Sequence, residues 1–389
     1  MKLAIMHPIR HHAYSVLKGL MLIDGSANGY FGFFAGNDVI DNVVKFLSGE
    51  KSVKSYSDTH ISNNTCVNKF IKIMFLIFKK NKRFWPVYNW LFQKWCNRFI
   101  DKYDGIYFLQ DYCNDLIRKA KGKGKIIIYD QIIAFNYEKY ITGVEYDPYS
   151  SKKMSLEIEN LLMADLIIVP SKFVYKSLMG YRFSDEIKDK IHMIPYGANI
   201  ERKESKKKHV SSRLKILTVA SLCRRKGFEY IINAMEEISK RDLDVRLTVV
   251  GIIDGKQGQE ILTKIKKARN ISYAGSVPHS IISSYYRDSD VFLLPSLAEG
   301  SALAVYEAMA EGLPCIVTEE TGSTVNNYVE GLIINSKSAK EIVDAIDLLY
   351  NNRNLVEKMG QAAQLNAQKY SAEYFSHQCA SIIAETYGI

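Results

Sequence analysis

Two carboxylates eight residues apart, Glu299 and Glu307, are the side chains of this sequence best spaced to handle a polyhydroxylated ligand. Gly300, Ser301, Ala302 and Leu303 follow the first, so the backbone beside it is left nearly bare. A helix beginning near Ala302 would rise about 12 Å over that interval, comparable with a nucleoside diphosphate sugar measured from ribose to hexose. Each carboxylate can then meet one sugar, while the N–H groups of Ser301, Ala302 and Leu303 and the positive helix end face the phosphates. The plainer alternative is an ordinary strand-turn-helix connection carrying two surface glutamates, and the spacing alone leaves both open.

Such a loop needs a strand to deliver it. Residues 291–294 read as a buried strand, Pro295 and Ser296 as the turn that ends it, and a second buried strand starts beyond Pro314. Upstream, 215–222 reads as a strand feeding Cys223-Arg224-Arg225-Lys226-Gly227 and an amphipathic helix from Phe228. Two bare phosphates need cations as a leaving group gathers charge, and this turn carries three in a row; a solvated basic turn is the alternative. Further strands are expected at 2–6, 105–109, 125–129, 165–170, 246–251, 271–275, 315–318 and 332–334, separated by helical stretches, the pattern of α/β units. Ser171 is expected to cap the helix after 165–170. The polar, Lys-rich stretch 201–213 reads as a linker between a first domain, 1–200, and a second, 214–371. The last segment, 372–389, is apolar at helical spacing, and no internal repeat beyond the βαβ unit is evident.

With seven residues between the glutamates and Gly-Leu-Pro at 312–314 after the helix, the segment resembles the E-x7-E signature of the family 4 retaining glycosyltransferases. The resemblance implies the GT-B fold, two Rossmann-like domains facing each other across a cleft with a C-terminal helix crossing back to the first. It also implies roles: Glu299 on donor-sugar hydroxyls, Glu307 on the ribose diol, Arg225 and Lys226 on the diphosphate, and Val277 where relatives hold the nucleobase with main-chain groups. Three departures stand out. The usual Gly-Arg-Leu is Ala220-Ser221-Leu222, so Arg225 is expected to do the work of the absent Arg. The Gly-Gly pair after the first strand is replaced by His-Pro-Ile-Arg-His-His at 7–12. A histidine near the donor sugar is replaced by Asp130, expected to bond a sugar hydroxyl, to orient the acceptor, or simply to cap the next turn.

The implied activity is transfer of a sugar, with retention, from a nucleotide diphosphate donor to a glycan or lipid-linked acceptor in cell-surface polysaccharide or glycolipid synthesis. Same-face attack, with the leaving phosphate helping to take the acceptor proton, needs no enzymic nucleophile. No metal is expected, because Arg225 and Lys226 do the neutralising and no Asp-x-Asp lies at a strand end. A GT-B epimerase or phosphorylase, or a non-catalytic sugar-binding scaffold, would share the fold.

Composition accommodates this reading. The chain has 389 residues, 47% of them hydrophobic, enough for two α/β domains. Six cysteines lie scattered without disulfide or zinc spacing, which fits a reducing cytoplasm. Pro8, Arg10, His11, His12 and Lys18 interrupt any secretory signal, and no apolar run approaches the roughly 20 residues of a membrane helix. The net charge of +10 is concentrated: between 69 and 102 nine Lys or Arg stand against Asp101 alone. Aromatic residues interleave with them, so this stretch is expected either to lie on an anionic membrane, with Phe78, Trp85 or Trp90 dipping in, or to pack on the first sheet with its lysines solvated. No nucleic-acid motif accompanies the charge. Residues 24–65, rich in Gly, Asn and Ser, receive no role.

Overall fold

A computed structural model of the chain describes residues 1–8, 13–23, 25–31, 64–68, 70–71, 73–74, 82–110, 113–144, 147–198, 212–241 and 243–388. The expectations for 9–12, Phe78, most of 24–65 and nearly all of the linker fall outside these residues.

Two parallel sheets organise the molecule. The first contains β1 (Leu3–His7), β2 (Asn28–Phe31), β3 (Thr65–Val67), β4 (Gly105–Leu109), β5 (Ile126–Asp130), β6 (Leu166–Val169) and β7 (Ile191–Met193), in the order β3-β2-β1-β4-β5-β6-β7. The second contains β8 (Leu214–Val219), β9 (Val245–Val250), β10 (Ile271–Gly275), β11 (Val291–Leu294), β12 (Cys315–Thr318) and β13 (Gly331–Ile334), in the order β10-β9-β8-β11-β12-β13. Central strands such as Leu-Ile-Ile-Val and Val-Phe-Leu-Leu are apolar without alternation and wholly buried, because helices cover both faces of a parallel sheet. Most expected strands fall within one or two residues of those observed. The helix that leads into β6 runs from Lys152 to Met163.

In each sheet the strand order reverses beside the first strand of its domain, between β1 and β4 and between β8 and β11. Loops leaving the carboxyl ends of strands at such a point diverge and open a crevice. In the second domain these are the loops after β8, carrying Arg225 and Lys226, and after β11, carrying Glu299.

The C-terminal helix, Ala372–Tyr387, packs on Ala13–Ile23 of the first domain. Phe375, Cys379 and Ile383 join Val16, Leu17 and Leu20 in one buried cluster. Burial of each large apolar side chain favours this crossing by about 1.5–3 kcal/mol. The approach is close: a Cβ on Gly19 would lie 2.4 Å from Ser376 O, and Ser376 Oγ donates to Ser15 O at 2.7 Å.

Candidate active site

The loops after β8 and β11 are stitched together before any ligand is considered. Leu297 N donates to Arg225 O at 2.7 Å, and Arg225 Nη1 donates to Ala298 O at 2.9 Å. Gly227 has φ +74, and a Cβ there would sit 2.1 Å from Pro295 O; only glycine meets both demands. On the other side, Thr318 Oγ1 donates to Ser296 O at 2.6 Å and Thr321 Oγ1 to Leu294 O at 3.0 Å. Loop 295–302 is thus fixed on both flanks.

This stitching brings three charged side chains together. Glu299 Oε2 lies 2.6 Å from Arg225 Nη1, and Oε1 lies 2.5 Å from Lys226 Nζ. Ser296 Oγ also donates to Oε1, at 3.3 Å. Glu299 is buried. Burial alone would push its carboxyl pKa up, but the charges of Lys226 and Arg225 prevail and hold it below the usual carboxylate range. Burial likewise works against the Arg225 guanidinium, whose pKa is nonetheless raised by Glu299.

Glu307 lies on the following helix, Leu303–Ala310, where it accepts a 2.8 Å hydrogen bond from the buried Tyr286 hydroxyl. Burial and the neighbouring Glu307 charge both push the Tyr286 pKa up, so the hydroxyl stays a donor. Val277 is half-buried beyond the end of β10, against the second domain's core.

Two expectations require correction. The amide of Ala302 does not face a ligand: it donates to Thr321 O at 3.3 Å. Ser301 turns its hydroxyl inward to share a 2.9 Å hydrogen bond with Tyr306, while Leu303 is exposed. Asp130 does not open into the cleft. Its carboxylate is fully buried below the first sheet, accepting from Tyr107 at 2.8 Å and Tyr196 at 3.3 Å. The reason is the period of two in a strand, which sends Asp130 to the face covered by the C-terminal helix.

The first domain closes on the same loop. A Cβ on Gly300 would lie 1.8 Å from Ile132 O, and Ser171 Oγ donates to Gly300 O at 2.6 Å while accepting from Val174 N as the expected helix cap. Ala298 packs with Ala134 and Phe173. Behind Ile132, Gln110 and Gln131 each donate to the buried Glu157 carboxylate, at 2.7 and 2.6 Å. Glu157, Asn160, Lys152, Lys153, Asn114, Tyr129 and Leu156 line a cavity of about 340 Å³. Both side-chain polar atoms of Asn160 are buried without a partner.

Ser296, Tyr286, Ser171 and the Gln110–Gln131–Glu157 cluster were not singled out as site residues from sequence. Only the helix-cap position of Ser171 carries a local signal; Tyr286 lies 21 residues from Glu307 and Ser171 lies 129 from Gly300. Among the described residues no group of three or more His, Cys, Asp or Glu could hold a metal ion.

Comparison with known proteins follows this division. Residues 199–366 match the family described as "Glycosyl transferases group 1". An uncharacterized glycosyltransferase of Haemophilus influenzae is 34% identical over 164 residues, 41% of this chain and 45% of that protein. The alpha-monoglucosyldiacylglycerol synthase of Acholeplasma laidlawii is 23% identical over 268 residues, 64% and 66% of the two. The chain spans about half to two-thirds of the length of these curated relatives. Among solved structures, sucrose-phosphate synthase from Thermosynechococcus elongatus superposes with TM-score 0.71 at 16% identity, covering 100% of this chain and 99% of that one. Anabaena Alr3699/HepE in complex with UDP and glucose gives 0.67 at 13% identity, covering 99% and 100%. The fold is therefore GT-B, and the residues that match the glycosyl transferases group 1 family, 199–366, include both glutamates and the basic turn.

Proposed function

We propose that this protein is a retaining glycosyltransferase that moves a sugar from a nucleotide diphosphate donor to a glycan or lipid-linked acceptor in cell-surface polysaccharide or glycolipid synthesis. The observation that carries the reading is the convergence of Arg225, Lys226 and Glu299 from two adjacent strands at the crevice, one helix start away from Glu307. In this reading Arg225 and Lys226 receive the diphosphate and stabilise the charge that builds on it. Glu299 holds donor-sugar hydroxyls and Glu307, steadied by Tyr286, the ribose diol. The attack takes place on the face of the sugar that the diphosphate leaves, and the leaving phosphate oxygen helps accept the acceptor proton. No metal is needed, since the two side-chain cations neutralise the leaving group. A relative that synthesises a glucosyl diacylglycerol and a fold neighbour that binds UDP and glucose are consistent with donor and acceptor of these classes.

The acceptor is assigned to the first domain. The cavity beside Glu157 and Asn160 suits a hydroxylated acceptor end, with Lys152 and Lys153 at its wall for an anionic group. The basic segment supplies a membrane contact. On the helix Trp85–Cys96, Tyr88, Phe92 and Cys96 are buried, whereas Val87 and Trp90 are exposed, with Lys94 over the Trp90 ring at 5.0 Å. Trp85 packs against the core instead, so among the described residues Trp90 is the expected aromatic that can serve as an interfacial anchor. No helix among the described residues is long and apolar enough to cross a membrane; a peripheral position on the cytoplasmic face fits the basic charge.

Thermal-shift screening of nucleotide sugars should show stabilisation by one of them, and mass spectrometry with a lipid extract should show a product that Glu299→Ala cannot form. Product formation by Glu299→Ala at the wild-type rate would remove the mechanism. For the membrane contact, vesicle flotation with anionic lipids should weaken severalfold when Lys79, Lys80, Lys82 and Arg83 are neutralised; Lys79 and Lys80 lie outside the described residues. Unchanged flotation would remove that part.

A further inference from the structure

The two cations assigned to the diphosphate already share a carboxylate. Glu299 bridges them with one oxygen on each, 2.6 Å from Arg225 and 2.5 Å from Lys226. Among the described residues its one other hydrogen-bond donor is the Ser296 hydroxyl at 3.3 Å. A carboxylate and a diphosphate seek the same N–H groups, and two anions held against the same pair repel each other. With Glu299 ionised the three side chains carry a net charge of about +1; without it, about +2.

Glu299 can release the cations only where other donors receive it, because a buried carboxylate stripped of its partners is heavily penalised. The hydroxyls of a donor sugar are such donors. A nucleoside diphosphate that has lost its sugar has none to offer there. We propose that Glu299 is an internal counter-ion that competes with the diphosphate for Arg225 and Lys226, so that the site favours an intact nucleotide sugar over the diphosphate left after transfer. This rests on the assignment of the donor made above and adds a second task to Glu299. When the sugar departs with the acceptor, the carboxylate loses its hydroxyl partners, returns to Arg225 and Lys226, and weakens their hold on the product. The bond-making chemistry is unaffected; what changes is which ligand the cation pair prefers.

The test is isothermal titration of UDP, ADP and GDP, with the corresponding nucleosides as controls, into the wild type and Glu299→Gln. The amide removes the competing charge at nearly constant shape. Glu299→Gln should bind the preferred nucleoside diphosphate about tenfold more tightly than the wild type, bind its nucleoside no better, and turn over donor more slowly with stronger product inhibition. Equal or weaker diphosphate binding by Glu299→Gln, in a wild type that binds it, overturns the inference and leaves the proposed function standing. A wild type that binds none of the three and no nucleotide sugar overturns the proposed function itself. Should Glu299→Gln fail to fold, Glu299→Asp, which withdraws the charge by one methylene, should show the same gain in smaller measure, and no gain there counts equally against the idea.

Discussion

At the scale of single residues, Glu299 is a carboxylate kept charged while nearly out of water. Its two cations are partly open to solvent, at 27% and 13% side-chain exposure, so the pairing is worth less than a sealed ion pair. The sign of its pH dependence follows from the direction of its shift. With the folded pKa held below the unfolded one, its contribution is fully present above the ordinary carboxylate value. It is lost as pH falls from there through the depressed folded value. Thermal unfolding followed from pH 7 into the acid range should therefore show a decline in the wild type that is shallower in Glu299→Gln, by at most about 1.4 kcal/mol per pH unit. Parallel profiles would mean that the carboxylate does not hold its charge through these cations. The resemblance named both glutamates, yet it placed Asp130 in the site, and there the side chain's direction along β5 decided otherwise.

At the scale of elements, the site depends on backbones approaching where a side chain would stand. Gly227 lets the basic turn reach Pro295 O, and Gly19 lets the first helix reach Ser376 O. The second contact lies away from the donor loop and tests the crossing helix by itself. Gly19→Ala forces a Cβ to 2.4 Å from a carbonyl oxygen. It should lower unfolding stability by about 1–3 kcal/mol, measured by urea titration, and speed proteolysis near the C-terminus. Unchanged stability would show that the two helices slide apart at little cost. Ten of the strands among the described residues were legible because buried parallel strands are short, apolar and bounded by turn residues, whereas β2, β3 and β7 were not expected from sequence. The glycine contacts were not, because their partners lie far off in sequence; Gly19 and Ser376 belong to opposite ends of the chain.

At the scale of the whole molecule, the domains meet at the loop that carries Glu299. Ser171 donates to Gly300 O, Ala298 packs with Ala134 and Phe173, and Lys176 pairs with Glu319 at 3.0 Å on the surface. The surface pair contributes little, leaving the Ser171 hydroxyl as the main polar latch among these contacts. Ser171→Asp keeps a side-chain acceptor for the helix N-terminus but sets a carboxylate against a carbonyl oxygen. Stability should stay within about 1 kcal/mol of the wild type, while the radius of gyration from small-angle scattering increases and kcat/KM falls about tenfold as closure weakens. An unchanged radius with unchanged kcat/KM would show that closure does not depend on this hydroxyl.

The sequence by itself determined the alternation of buried strands and amphipathic helices, the basic turn at 224–226, and the interval between Glu299 and Glu307, all of which are encoded within a few residues of one another. Only the tertiary structure decided that Arg225 and Lys226 close on Glu299, 73 or more residues away, that Tyr286 holds Glu307, that the Ala302 amide is already taken, and that Asp130 points into the core. Periodicity reports which face of an element is apolar. It does not report which loop from another strand will lie against it, because that is settled by strand order and by the packing of two domains.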